Sequence, residues 1–320
     1  MEISNVVKYR NYLKDADLRS QFTVFSFPEW LDAEYGEGNW DVIIIESNNI
    51  LLASFPFQRP HGIFKKSGMP LLAQTLGPWI NKEELEKSKS EISRYYNLIT
   101  ELISELPKSH YFLQQLSPQL ANHLPFYWAG YKQTTLYTYR LNFDGTFKGF
   151  CRNVKSKKLR EFRKSSEDLE LVINPNTEMV YTEYRNYLES SGKIIQYSKR
   201  YFINLIEMSL NHNFGLLLGA KHSSGSFAAF LWVAFDTTTA YHMITPINPK
   251  LKRTKALNYL IFQAIQHIPN TIKCYDFEGS MDQRIEKSFR EFGALPIPYL
   301  RVRKTGPRWL SSLIEILKPL

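Results

Sequence analysis

YDFEGSMDQRIEKSFREFGALPIPYLRV, residues 275–302, repeats the layout of FLQQLSPQLANHLPFYWAGYKQTTLYTYRL, residues 112–141. Each stretch reads as strand, Ser, helix, Gly, strand, and Ser117, Phe126 and Gly130 match Ser280, Phe289 and Gly293 at one constant offset. Each serine is placed to cap a helix. Pro118 follows Ser117 at a first helical position, and Gln283 stands three residues after Ser280 in capping-box spacing. Each glycine falls where a helix would end in the left-handed conformation.

The repeat extends upstream of both stretches. Ile92, Tyr95, Tyr96, Ile99, Leu102, Ile103 and Leu106 mark an amphipathic helix before the first, and Leu257, Leu260, Ile261, Ala264, Ile265 and Ile268 mark one before the second. Further upstream, Ser47-Asn48-Asn49 and Ser223-Ser224-Gly225 each separate two β-rich runs, a hairpin signal. The second copy adds a leading strand in LELVINPN (169–176), helices in TEYRNYLESSGK and SKRYFINLIEMSLNH, and a further strand in TAYHMITPIN (239–248). The resulting order, β-α-α-β-β-β-α-β-α-β, implies an α/β arrangement around a mixed sheet.

Composition bounds the function. A chain of 320 residues, 43% hydrophobic, suits about two domains. Cys151 and Cys274 lack metal-ligand spacing and cannot make a disulfide framework, which points to a reducing, cytoplasmic compartment and no metal. No apolar run approaches the roughly 18 residues of a membrane span, and the polar N-terminus is unlike a signal peptide. The net charge of +9 favours an anionic partner: RNA, a nucleotide-linked substrate or an acidic membrane face.

The order of elements resembles the acyltransferase fold of the GCN5-related N-acetyltransferases (GNAT). The tandem duplication resembles the Fem family of peptidoglycan aminoacyl transferases, and above all the bacterial FemAB-like group found with cell-surface polysaccharide genes. PLLAQTLGPWI (70–80), CRNVKSKKLREFRKS (151–165) and CYDFEGSMDQRIEKSFREFGALPIPYLRVRK (274–304) carry the likeness. It implies an α/β chain of two tandem GNAT-like domains, each a mixed sheet flanked by helices. A degenerate copy would span 1–145 and a catalytic copy 146–305, followed by an amphipathic helical tail at 306–320. The implied activity is transfer of an acetyl, acyl or aminoacyl group to an amine or hydroxyl of a nucleotide- or lipid-linked sugar or peptidoglycan precursor. The donor would be acyl-CoA or, as in the Fem branch, an aminoacyl-tRNA.

One departure bears on the donor. The acetyltransferase fold binds the coenzyme A pyrophosphate with backbone N–H groups of a glycine-bearing loop, whereas PINPKLKRTKALNYL places Lys255 and Leu257 where the glycines belong. Lys250, Lys252, Arg253 and Lys255 are then the donor-binding candidates, acting as point charges.

Period-two alternation puts Asp276 and Glu278 on one face of a strand, where the first copy has Leu113 and Gln115. Either carboxylate can serve as general base or orient the acceptor; the bland alternative is a local hydrogen bond or a pair with Arg284. Tyr241 and His242 precede the basic loop where this fold splays two strands, and at most one of them can face the cleft. The basic helix at 152–164 carries Arg152, Lys155 and Arg160, which by the Fem likeness would bind an acceptor diphosphate, against the alternative of a solvated face. Tyr299 joins them as an acceptor contact, with Arg301 and Arg303 on the same alternating face. The C-terminal GPRWLSSLIEILKPL is amphipathic, packing on the core or resting on the inner membrane. An RNA-binding or scaffold protein that kept the duplicated fold and lost catalysis is the competing reading.

Overall fold

A computed structural model describes residues 4–120, 122–190, 192–279 and 283–306. Helices α1 (Asn5–Tyr12), α2 (Ala16–Arg19) and α3 (Pro28–Tyr35) precede the hairpin of β1 (Trp40–Ser47) and β2 (Ile50–Gln58). Asn48 and Asn49 turn that hairpin with φ of 51° and 63°, the two left-handed residues a tight hairpin turn requires. Then follow β3 (Lys66–Ser67), β4 (Trp79–Ile80), α4 (Lys82–Glu86), α5 (Glu91–Ser104), β5 (Tyr111–Gln115), α6 (Leu124–Trp128) and β6 (Lys132–Asn142). Most of the predicted stripe of α5 is used: Ile99 and Leu102 are buried with Phe55, Phe57, Phe112 and Phe126, and Tyr95, Ile103 and Leu106 pack against them. Ile92 is exposed, whereas Leu98, outside the predicted stripe, is buried.

The second repeat begins with α7 (Phe147–Asn153), α8 (Ser156–Asp168), β7 (Leu169–Ile173), α9 (Thr177–Ser190) and α10 (Lys199–Asn211). It continues with β8 (Gly215–His222), β9 (Phe227–Phe235), β10 (Thr239–Ile244), α11 (Ala256–His267), β11 (Cys274–Asp276), α12 (Gln283–Glu291) and β12 (Leu295–Thr305). Hairpin, further strand, helix, strand, helix, strand therefore occur in both copies, as the sequence repeat predicts. Helix α11 is apolar nearly all round, and Leu260, Ile261, Phe262, Ala264 and Ile265 are buried in the second core.

By contacts the chain divides into two compact units: one holds the chain up to Leu136 and again from Pro298, the other Tyr137–Ile297. The first contains an antiparallel β1-β2-β4 sheet, and β5 between β3 and β12. The second contains strands in the order β6-β11-β10-β9-β8-β7. The sequence repeats and the contact units differ, because the last strand of each repeat crosses over. Arg140, Leu141 and Asn142 of β6 pair with β11 of the second unit, and Arg301–Thr305 of β12 pair with β5 of the first.

Two expectations change. Ser117 does not cap a helix: its hydroxyl accepts from Gln119 N at 3.3 Å within a turn, and α6 begins only at Leu124. Its counterpart Ser280, like the tail from 307 onward, lies outside the described residues. The basic helix expected at 151–165 is two helices, broken where Val154 and Lys155 are extended, with ψ of 135° and 141°. Both glycines behave as read: Gly130 (φ 82°) ends α6 and Gly293 (φ 89°) ends α12, each followed by a residue whose N–H returns to the last turn.

Candidate functional site

Strands β10 and β11 run parallel but pair only at Thr239–Tyr241 and Cys274–Asp276. Beyond that point β10 slips on β9 between His242 and Ile244, and β11 stops. Glu278 (φ 57°) and Gly279 (φ 70°) then take left-handed conformations. A Cβ on Gly279 would collide with the Tyr137 carbonyl, so only glycine fits there. The two strands thus separate over His242, Thr245, Phe277 and Glu278.

Asp276 is fully buried at the root of this opening and is bound on every side. Its Oδ1 accepts from the Thr138 hydroxyl and, at 2.8 Å, from the Glu278 N–H; Oδ2 accepts from Arg140 Nε at 2.7 Å. The Arg140 side chain is itself 19% exposed. Buried ion pairs hold when their remaining lone pairs are satisfied, as here. The expectation of two carboxylates on one strand face fails, because the strand ends at Asp276 and the left-handed turn redirects Glu278. Asp276 is ion-paired with Arg140.

Tyr241 and His242 do face opposite ways. Tyr241 is buried, and its hydroxyl donates to Asp236 Oδ2 at 2.9 Å. Asp236 also accepts the N–H groups of Thr238 and Thr239 at 2.9 and 2.8 Å, while its burial raises its carboxyl above the ordinary range. Tyr241 is therefore a core residue. His242 is half-buried in the opening, with Nδ1 3.0 Å from the Tyr275 hydroxyl and Nε2 2.6 Å from the Thr245 hydroxyl. Its ring stacks on Phe277. Loss of water pushes its imidazole down to about 4, so it is neutral at pH 7. A neutral imidazole between two hydroxyls can pass a proton along that line without holding a charge.

The basic loop forms a short 3-10 helix over Pro249–Thr254, and Lys250, Lys252, Arg253 and Lys255 are all exposed on it. Lys255 has φ 58°, the backbone conformation glycine would adopt at that position. The loop turns its amides inward: Lys250 N donates to Asn248 Oδ1 at 3.0 Å, Leu251 N to Asn248 O at 3.1 Å and Lys255 N to Lys252 O at 3.4 Å. Cationic side chains, rather than these amides, are what it presents outward.

Arg152, Lys155 and Arg160 are exposed on α7, at the break and on α8. Arg152 lies 3.4 Å from Asp144 Oδ2. Tyr299 is 8% exposed on the part of β12 that belongs to the first unit, where Arg301 is held by Gln115 Oε1 at 2.8 Å. Lys158, which lies within the basic stretch 152–164, is buried at 6% exposure. Its Nζ donates to Asn258 Oδ1 at 3.1 Å and Ser288 Oγ at 3.2 Å, and Glu291 Oε2 is 3.6 Å away. Asn258 in turn donates to Glu161, and Ser165 Oγ to Thr254 O at 2.7 Å, so α8 is bound to the basic loop and the first turn of α11.

Sequence reasoning missed a cavity in the first unit. A space of about 370 Å³ runs along β4 and past the end of β5, lined among others by Phe22, Thr75, Trp79, Tyr95, Ser117 and Gln119. Phe22 and Trp79 stack 4.5 Å apart. Aromatic faces beside hydroxyls and amides suit a polar ligand with flat or sugar-like surfaces. The available signal was Gly77-Pro78-Trp79 within 70–80. Among the described residues no cluster of His, Cys, Asp and Glu could hold a metal ion, and no helix is long and apolar enough to cross a membrane.

No family model and no curated protein matches the sequence. Solved structures match in fold. FemX aligns at TM-score 0.70 with 10% identity, over 98% of this chain and 99% of that one. L-PGS from Bacillus licheniformis aligns at 0.52 with 11% identity, over 99% and 97%. A conserved protein from Bacteroides thetaiotaomicron VPI-5482 aligns at 0.54 with 12% identity, over 91% and 97%. The chain shares the α/β fold of FemX over nearly its whole length.

Proposed function

We propose that the protein is an acyl- or aminoacyltransferase acting on an amine or hydroxyl of a nucleotide- or lipid-linked sugar or peptidoglycan precursor of the cell envelope. The observation that carries this reading is the strand opening of the second repeat, floored by the Asp276–Arg140 pair and edged by Glu278 and His242, in a chain that shares its fold with FemX over nearly its whole length. Glu278 is the preferred general base, because it stands half-buried beyond the strand end whereas Asp276 is fully buried at its root. Arg152, Lys155 and Arg160 are assigned to the acceptor phosphates. The cavity beside Trp79 is assigned to a sugar or peptide group.

The basic loop favours an aminoacyl-tRNA over acyl-CoA as donor. The amides of Lys250, Leu251 and Lys255 are engaged internally and the loop's cations are exposed, an arrangement suited to a phosphodiester backbone. The test offers the purified protein a nucleotide-linked muropeptide or amino sugar, with radiolabelled aminoacyl-tRNA in one arm and radiolabelled acetyl-CoA in the other. Transfer from tRNA, with a donor KM raised about tenfold by Lys252→Glu with Arg253→Glu, supports the reading. Transfer from acetyl-CoA alone reverses the donor assignment. Salt-sensitive binding of bulk RNA with no transfer in either arm would establish the catalytically silent RNA-binding alternative.

A further inference from the structure

The first unit carries a hairpin tip that neither its core nor the proposed chemistry uses. His61 and Lys66 close it with reciprocal backbone bonds of 3.1 and 2.9 Å, and Lys65 N donates to Gly62 O at 3.0 Å across the turn. Gly62 (φ 70°) and Lys65 (φ 38°) are both left-handed. The stem is anchored, since Lys66 and Ser67 pair with Tyr111 and Phe112 of β5. The turn therefore presents its central residues on a fixed support.

Those central residues are Ile63, 91% exposed, and Phe64, 55% exposed. Turn centres normally carry Gly, Asn, Asp or Ser, which hydrogen-bond locally or tolerate the backbone. Scattered exposed apolar residues need no explanation, but two adjacent ones at a rigid apex remain in water unless something covers them. Around them stand Arg59, His61, Lys65 and Lys66, all exposed. Arg59 is matched by Asp41 at 2.9 Å. The local pattern is an apolar point ringed by cations.

We infer that the Gly62–Lys65 turn is a membrane-contact element, with Ile63 and Phe64 entering the interface of an anionic bilayer and Lys65 and Lys66 meeting lipid phosphates. The charge sign selects the occupant: an acidic lipid face satisfies the cations and also accepts the apolar apex, whereas RNA satisfies the cations and leaves Ile63 in water. The contact is independent of transfer chemistry and sets where the protein works.

Flotation of the full chain with phosphatidylcholine vesicles, with and without phosphatidylglycerol, tests it. Binding to the anionic vesicles alone is expected, and Ile63→Asp with Phe64→Asp should weaken it on the order of tenfold with an unchanged thermal midpoint. Phe64→Trp should add a blue-shifted indole component on anionic vesicles only, read as the difference from the parent's six tryptophans, which locates the contact. Flotation of the double variant equal to that of the parent, or no emission change between free and vesicle-bound Phe64→Trp protein, overturns the inference. So does binding that tracks Lys65→Glu but ignores both apolar changes, the behaviour of an RNA site.

Discussion

Strands β5 and β11 occupy the same place in the two repeats and are built in opposite ways. In the second repeat the strand ends in a buried carboxylate bound to Arg140, Thr138 and a backbone N–H, and the opening above it holds His242 against Tyr275, Thr245 and Phe277. In the first, Leu113 stands where Asp276 does, and Gln114 and Gln115 tie the strand to its surroundings with neutral bonds. Gln114 donates to the carbonyls of Pro56 and Leu76 at 2.9 and 2.8 Å, and Gln115 to that of Gln74 at 2.7 Å. The first copy keeps a cavity of about 370 Å³ beside its strand. One repeat has invested in fixed charge, the other in room. The first copy thus has a neutral, hydrogen-bonded strand end where the second has a charged one.

The sharpest way to break this contrast is to remove the charge. Asp276→Ala leaves the Arg140 guanidinium largely buried without its partner and should cost about 3 kcal/mol in denaturant unfolding, against about 1 kcal/mol for Leu113→Val at the matching place. Equal costs would mean that the two strand ends carry the same load. Next is turnover. Glu278→Gln should lower kcat by about a hundredfold while leaving the unfolding midpoint in place, and Asp276→Asn should do the reverse. Similar kcat losses in both would return Asp276 to the role of base.

Acid stability gives a smaller effect. The His242 imidazole titrates near 4 when folded and near 6.5 when unfolded, so the unfolded chain binds the extra proton between those values. Stability is full above pH 6.5 and falls on acidification toward pH 4, by about 2 kcal/mol for a half-buried ring. His242→Gln should remove that portion of the acid limb. Smallest is Trp79→Ala in the first repeat, expected to raise the acceptor KM about tenfold with donor KM unchanged. A shift in donor KM instead would assign the cavity to the donor.

What could be read in the sequence was local. The hairpin turn at Asn48-Asn49, the glycine stops at Gly130 and Gly293 and the buried stripe of α11 depend on residues within a few positions of each other, and all stand as expected. The site was legible only in outline. Alternation predicts a shared face for Asp276 and Glu278 only while the strand continues, and a left-handed Glu278 carries no compositional mark. Lys158 looked like one more surface cation because its partners Asn258, Ser288 and Glu291 lie a hundred residues away or more. The cavity beside Trp79 joins segments from Gln21 to Leu120, a convergence that no single window displays.

The crossing of the last strands has a consequence for how such a chain can change. Strand β6 begins in the first unit and finishes beside β11, while β12 finishes beside β5. A gene split after the first repeat would yield two products, each lacking the closing strand of its own sheet and carrying one that belongs to the other.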